Sequence, residues 1–181
     1  MEENKERIKI VVDTNVLFSA LLSEDSLAKA ILSILKSEKK INLLIPTKVV
    51  QEIDLHIGEL SRKSRVPIRV LKYSFEYLTD NFEKIDEGNL EKELKDGLRF
   101  VNDENDAPFV AIALINKPCY ILTYNIRDFK REELKKEGII IVSPNEMLEI
   151  DGVKKLDINS LMKRKGNITR YLLKWLEERK L

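Results

Sequence analysis

The chain has 181 residues, enough for one domain with a substantial core and short for two independent ones. Hydrophobic residues make up 43% and charged residues 35%, which excludes a disordered chain, while 32 Lys plus Arg against 31 Asp plus Glu give no overall basic signal for nucleic acid. A lone cysteine, Cys119, excludes an internal disulfide and a cysteine-built zinc site; with a charged MEENKER start and only the short apolar run IKIVV behind it, it sets the expectation of a cytoplasmic protein without signal peptide or membrane helix.

In chain order, Ile8 to Val12 is a continuous apolar, β-branched run of the kind buried on both faces of a parallel sheet, and it ends at Asp13. Helical periodicity follows. Leu27, Ala30, Ile31, Ile34 and Leu35 predict a helix over 26–37, and 41–45 reads as a second strand. Pro46 and Thr47 offer a helix start whose stripe is Val49, Val50, Ile53 and Ile57, with Glu52 one turn in. Two amphipathic, charge-rich segments at 68–78 and 90–100 read as an inserted helical hairpin. Asp106 and Pro108 open a short helix over 109–114, and 120–122 and 139–142 read as two more strands. Strands alternating with helices predict an α/β fold on a mostly parallel sheet, with its ligand site beyond the carboxyl ends of the strands.

The end of the chain has a different composition: residues 151–181 carry nine Lys or Arg against four Asp or Glu, leaving the rest net negative. The sequence divides on this basis into an α/β domain over 1–150 and a basic helical appendage over 151–181. Tyr171, Leu172 and Trp175 fall at helical spacing there, and Lys163, Arg164, Lys165 and Arg170 are candidate RNA contacts, since basic residues interleaved with aromatics can track phosphates and stack on bases. The competing expectation is a terminal helix docked on the core with a solvated basic face.

Four acids stand where structure alone does not call for them. Asp13 closes the first strand, and Thr14 and Asn15 after it have short polar side chains that can cap the next helix and hold the carboxylate. Asp128 follows the 120–122 strand through a turn at the same sheet end. Asp106 stands at a helix start, where capping alone could account for it, and Asp103, three residues earlier, is a further candidate ligand. Carboxylate oxygens are hard donors suited to Mg²⁺ or Mn²⁺, and Asp13, Glu52, Asp106 and Asp128 brought together without a cation would repel one another. One or two such ions on a phosphodiester can activate water and stabilise the leaving oxygen with no nucleophilic side chain. His56, four residues after Glu52 on the same helix face, is expected to pack at the surface, with an edge contact to the site as the alternative.

These residues resemble the PIN-domain nucleases, including the toxin branch of toxin and antitoxin pairs. The likeness spans 8–143 and rests on VVDTNVLFSALL around Asp13, PTKVVQEI around Glu52, DAPFVAIAL around Asp106 and LTYNIRDF around Asp128. It implies a three-layer α/β/α fold on a four- to five-stranded sheet and a catalytic metal site of Asp13, Glu52, Asp106 and Asp128. Thr123 and Asn125 would be its supporting polar residues. Tyr124 stands where the toxin branch usually has Arg. The resemblance further implies an endoribonuclease acting on single-stranded RNA, a homodimer, and an antitoxin protein as partner. The basic tail lies outside it.

Three other classes compete. A phosphatase with an aspartate nucleophile would also place an acid after a first strand, but usually shows a second aspartate two residues on, where this chain has Asn15. Nucleotide-cofactor chemistry lacks its glycine-rich cradle. A non-catalytic RNA-binding or scaffold module of the same fold is the remaining rival, and the presence of all four acids argues against it.

Overall fold

The computed structural model describes residues 7–23, 26–150 and 153. They form a five-stranded, all-parallel sheet in the order β3-β2-β1-β4-β5, built from β1 (Ile8–Val12), β2 (Ile41–Pro46), β3 (Glu83–Ile85), β4 (Cys119–Leu122) and β5 (Ile139–Val142). β1 is central because it is apolar at every position that matters: Ile10, Val11 and Val12 are fully buried although successive side chains point to opposite faces, so both faces are covered.

The chain moves outward from β1 through β2 to β3, then returns across the sheet to β4 and β5. Right-handed crossovers therefore put the helices before β3 on one face and those between β3 and β4 on the other. On the first side are α1 (Thr14–Leu22), α2 (Leu27–Lys36), α3 (Lys48–Ser64) and α4 (Ile68–Thr79), with α1 packed on α2 and α3. On the second, α6 (Ala107–Ile115) lies against β1, β2 and β4, with α5 (Glu91–Gly97) behind it. The sequence of α6, APFVAIALI, is apolar on every side, as a helix sandwiched between sheet and helix must be. Its Phe109, Val110 and Ile112 are buried, each contributing roughly 1.5–3 kcal/mol by removal from water. Gly97 permits the close approach of α5, since a Cβ there would stand 3.0 Å from the Ala107 carbonyl oxygen. α7 (Arg131–Lys136) covers β5 and stops at Gly138, whose φ of +80° suits glycine alone; α8 (Pro144–Met147) starts with a capping box between Ser143 and Glu146.

One feature departs from the sequence expectations. The segments at 68–78 and 90–100 do not form a helical hairpin, because β3 lies between them. α4 packs on α3 across a tight turn at Arg65, which takes the left-handed conformation, while α5 packs on α6. Val153 is fully buried in the core. The basic residues Lys163, Arg164, Lys165 and Arg170, with Tyr171 and Trp175, lie outside the described residues.

Candidate active site

The reversal of strand order falls between β1 and β4, the position where sheets of this kind leave a crevice at their carboxyl edge. The ladder bonds run out there: the Asp13 N–H donates to the Leu122 carbonyl at 3.0 Å, and the Thr123 N–H donates to the Val142 carbonyl at 3.0 Å. Asp13 caps α1, with one carboxylate oxygen accepting from the Asn15 N–H at 3.3 Å. Its other oxygen, Oδ2, accepts from Thr123 Oγ1 at 2.6 Å and from Asn15 Nδ2 at 2.8 Å. Asn15 Nδ2 also donates to Thr123 Oγ1 at 3.0 Å, and the Tyr124 N–H donates back to Asn15 Oδ1 at 3.1 Å. Asp13 and Thr123 are both buried, so this network fixes a carboxylate that water does not reach freely. Asn125 enters it through its backbone N–H, 2.9 Å from Thr123 Oγ1.

Glu52 reaches the same edge from the first turns of α3. Thr14 Oγ1 donates to its Oε2, and Lys48 Nζ lies 3.1 Å from its Oε1. The start of α3 is held from a distance. Thr47 makes no side-chain cap; instead its hydroxyl donates to Glu87 Oε2 at 2.8 Å and the Lys48 N–H donates to Glu87 Oε1 at 3.0 Å. A carboxylate at a helix N-terminus also meets the positive end of the helix dipole.

Asp103, Asp106 and Asp128 come from two loops that are stitched together. Val101 and Phe129 form an antiparallel bridge, the Asn102 N–H donates to the Asp128 carbonyl at 2.8 Å, and the Lys130 N–H donates to the Phe100 carbonyl at 2.8 Å. Asp103 Oδ1 accepts from the Asn105 N–H at 2.9 Å and from Asn105 Nδ2 at 3.0 Å, closing the turn that leads into α6. Asp103 thus caps the 3-10 turn Glu104–Asp106 that precedes α6, and Asp106, at the N-cap position of α6 itself, makes no side-chain cap bond, contrary to the capping role open to it from sequence.

The acids share one electrostatic field. Burial raises the Asp13 carboxyl above its ordinary value, opposed by its bonds from Thr123 and Asn15 and reinforced by Glu52. Burial, then the charges of Asp13, Asp103 and Asp128, push Asp106 up to about 7. Such mutual repulsion is what a cation relieves, and the donors are the hard oxygens that Mg²⁺ and Mn²⁺ prefer. Among the described residues, however, no three His, Cys, Asp or Glu side chains converge as a ready cage. Glu52 is turned to Thr14 and Lys48, and Asp103 to Asn105. His56 stands apart on the next turn of α3, half exposed, with its ring edge-on to Phe18 at 5.8 Å and Nδ1 3.9 Å from Glu59.

Sequence reasoning missed Lys48 and Glu87. The i,i+4 spacing of Lys48 and Glu52 was a usable signal; nothing local marks Glu87, which lies in the loop after β3.

Residues 11–138 match the family described as PIN domain. Among solved structures, the crystal structure of VapBC2 from Rickettsia felis bound to a DNA fragment from their promoter aligns with a TM-score of 0.49 at 16% identity, covering 75% of this chain and 98% of that one. No curated protein sequence matches the chain.

Proposed function

The chain belongs to the PIN-domain family, and from that premise we propose that it is a divalent-metal-dependent endoribonuclease that hydrolyses phosphodiester bonds in single-stranded RNA. The observation that carries this proposal is Asp106, a half-buried carboxylate with no cap bond of its own, whose carboxyl is raised first by burial and then by the charges of Asp13, Asp103 and Asp128. A structural role does not call for four like charges within electrostatic reach of one another.

In this reading Asp13, Glu52, Asp106 and Asp128 hold the metal, and Asp103 contributes its Oδ2, the oxygen its turn leaves over. Bound Mg²⁺ or Mn²⁺ supplies an activated water and neutralises charge on the phosphodiester and its leaving oxygen. The protein's part is positioning. Thr123 and Asn15 fix the Asp13 carboxylate, Thr14 fixes Glu52, and the bridge at Val101 and Phe129 sets the spacing of the Asp106 and Asp128 loops. The 151–181 segment, with Lys163, Arg164, Lys165 and Arg170, supplies phosphate contacts that the acidic crevice cannot. Thr123, Asn125, Asp128 and Phe129 of LTYNIRDF match the toxin-branch pattern and Tyr124 departs from it; on that match the reading extends to a toxin of a toxin–antitoxin pair, a cytoplasmic homodimer neutralised by an antitoxin protein. Among the described residues no helix is long and apolar enough to cross a membrane.

The test is cleavage of a labelled, unstructured RNA by the full chain with Mn²⁺, Mg²⁺ or EDTA. Metal-dependent internal cuts support the proposal. RNA binding without turnover at any metal concentration would favour the scaffold alternative and overturn the enzymatic one.

A further inference from the structure

Lys48 is placed unlike an ordinary surface lysine. Its side chain is only 17% exposed, and the ammonium lies 3.1 Å from Glu52 Oε1, 2.5 Å from the Asn105 carbonyl oxygen and 5.3 Å from the centre of the Phe109 ring. A solvated i,i+4 pair on a helix keeps most of its water and makes no third contact. Here the ammonium spans two elements, joining α3, which carries Glu52, to the turn that carries Asp106. Its backbone N–H is fixed as well, by Glu87. Its charge also opposes the upward shifts at Asp13 and Asp106, so its field reaches both.

We propose that Lys48 is the resident counter-cation of the acidic cluster, and that its ammonium competes with an incoming divalent ion for Glu52. The proposal deepens the metal-dependent reading above and rests on it. With no ion bound, the ammonium draws Glu52 and the Asp106 turn together and offsets part of their repulsion. A divalent ion that takes Glu52 must displace the ammonium from Oε1, while the Thr14 bond to Oε2 keeps the carboxylate aimed at the site. Lys48 therefore lowers metal affinity below what the acids alone would give, and sets the cation concentration at which the site fills.

Calorimetric titration of the full-length protein with MnCl₂ tests this, with folding checked by circular dichroism. Lys48→Met keeps the aliphatic stem over Phe109 and removes the charge. It should bind Mn²⁺ roughly tenfold more tightly than wild type, as expected for removing one positive charge a few ångströms from a divalent ion in a partly solvated site. Its melting temperature should also rise more on Mn²⁺ addition. Lys48→Arg, which keeps the charge, should restore affinity close to wild type. Should Lys48→Met not fold, Lys48→Gln takes its place in the same titration. Unchanged affinity in the charge-free variant overturns the proposal, and so does weaker binding, which would make Lys48 only a brace for the ligands. Failure of folded wild type to bind Mn²⁺ is a separate result that overturns the metal-dependent reading itself, and the role of Lys48 with it.

Discussion

Asp13 combines burial, a cap on α1 and two side-chain donors, so its shape is needed for the fold but its charge works against it. Asp13→Asn should therefore stay folded, with a melting temperature no lower than wild type without metal, and should lose at least ~10²-fold in cleavage rate, the scale for removing one preorganised electrostatic contact. Near-normal cleavage by the folded variant would remove Asp13 from the mechanism. Asp106 gives a pH signature of definite sign. Its carboxyl is raised from 3.8 to about 7 in the fold, so between those values the native state binds the proton more tightly than the unfolded chain does. Its contribution makes the metal-free protein lose stability as pH rises through that window and stay level above it. Asp13 is shifted in the same direction and adds to the trend. Thermal melts in EDTA across the window should show the decline, and Asp106→Asn should flatten it; a variant whose melting curve tracks wild type at every pH would show that Asp106 does not titrate there.

At the scale of elements, the N-terminus of α3 depends on a residue from another part of the chain. Glu87 accepts from the Thr47 hydroxyl and the Lys48 N–H, so Glu87→Ala should cost about 1 kcal/mol, the worth of a helix cap, and loosen the turn from which Lys48 and Glu52 project. Both a lower melting temperature and slower cleavage are expected; loss of stability with full activity would mean that the α3 start does not position Glu52. Elements with strong internal patterns were legible in the sequence: the IKIVV strand, the helical stripe of Leu27, Ile31 and Leu35, and the apolar α6. β3 was not. It contributes only Glu83, Lys84 and Ile85, two of them exposed, and its place beside β2 comes from backbone pairing that leaves no hydrophobic period. Missing it turned two helices on opposite sides of the sheet into an apparent hairpin. The same limit hid Glu87, whose partners are forty residues away, and hid that Asp103 caps its own turn while Asp106 makes no cap bond. Residue type and order suggest which acids to group; which oxygen each one spends on its own loop is settled by tertiary contacts.

Across the whole molecule, charge is divided: the tail at 151–181 is basic and the remainder net negative. A metal site neutralises the phosphate being cut, so neighbouring phosphates need Lys or Arg from elsewhere. Val153 belongs to the core, so the informative truncation ends after it and not at 150. That shortened protein should bind RNA more weakly and with a shallower dependence on salt, while its Mn²⁺ affinity is unchanged; an unaltered salt slope in a folded truncation would make the tail structural. The acids at 13, 52, 106 and 128 also sit on four separate stretches of chain, and the loop that carries Asp128 follows β4, which pairs beside β1. A chain still being translated owns Asp13 and Glu52 long before it owns the other two. If the proposed cleavage needs all four acids, it is withheld until most of the polypeptide has been made and folded, so the order of synthesis itself delays the activity.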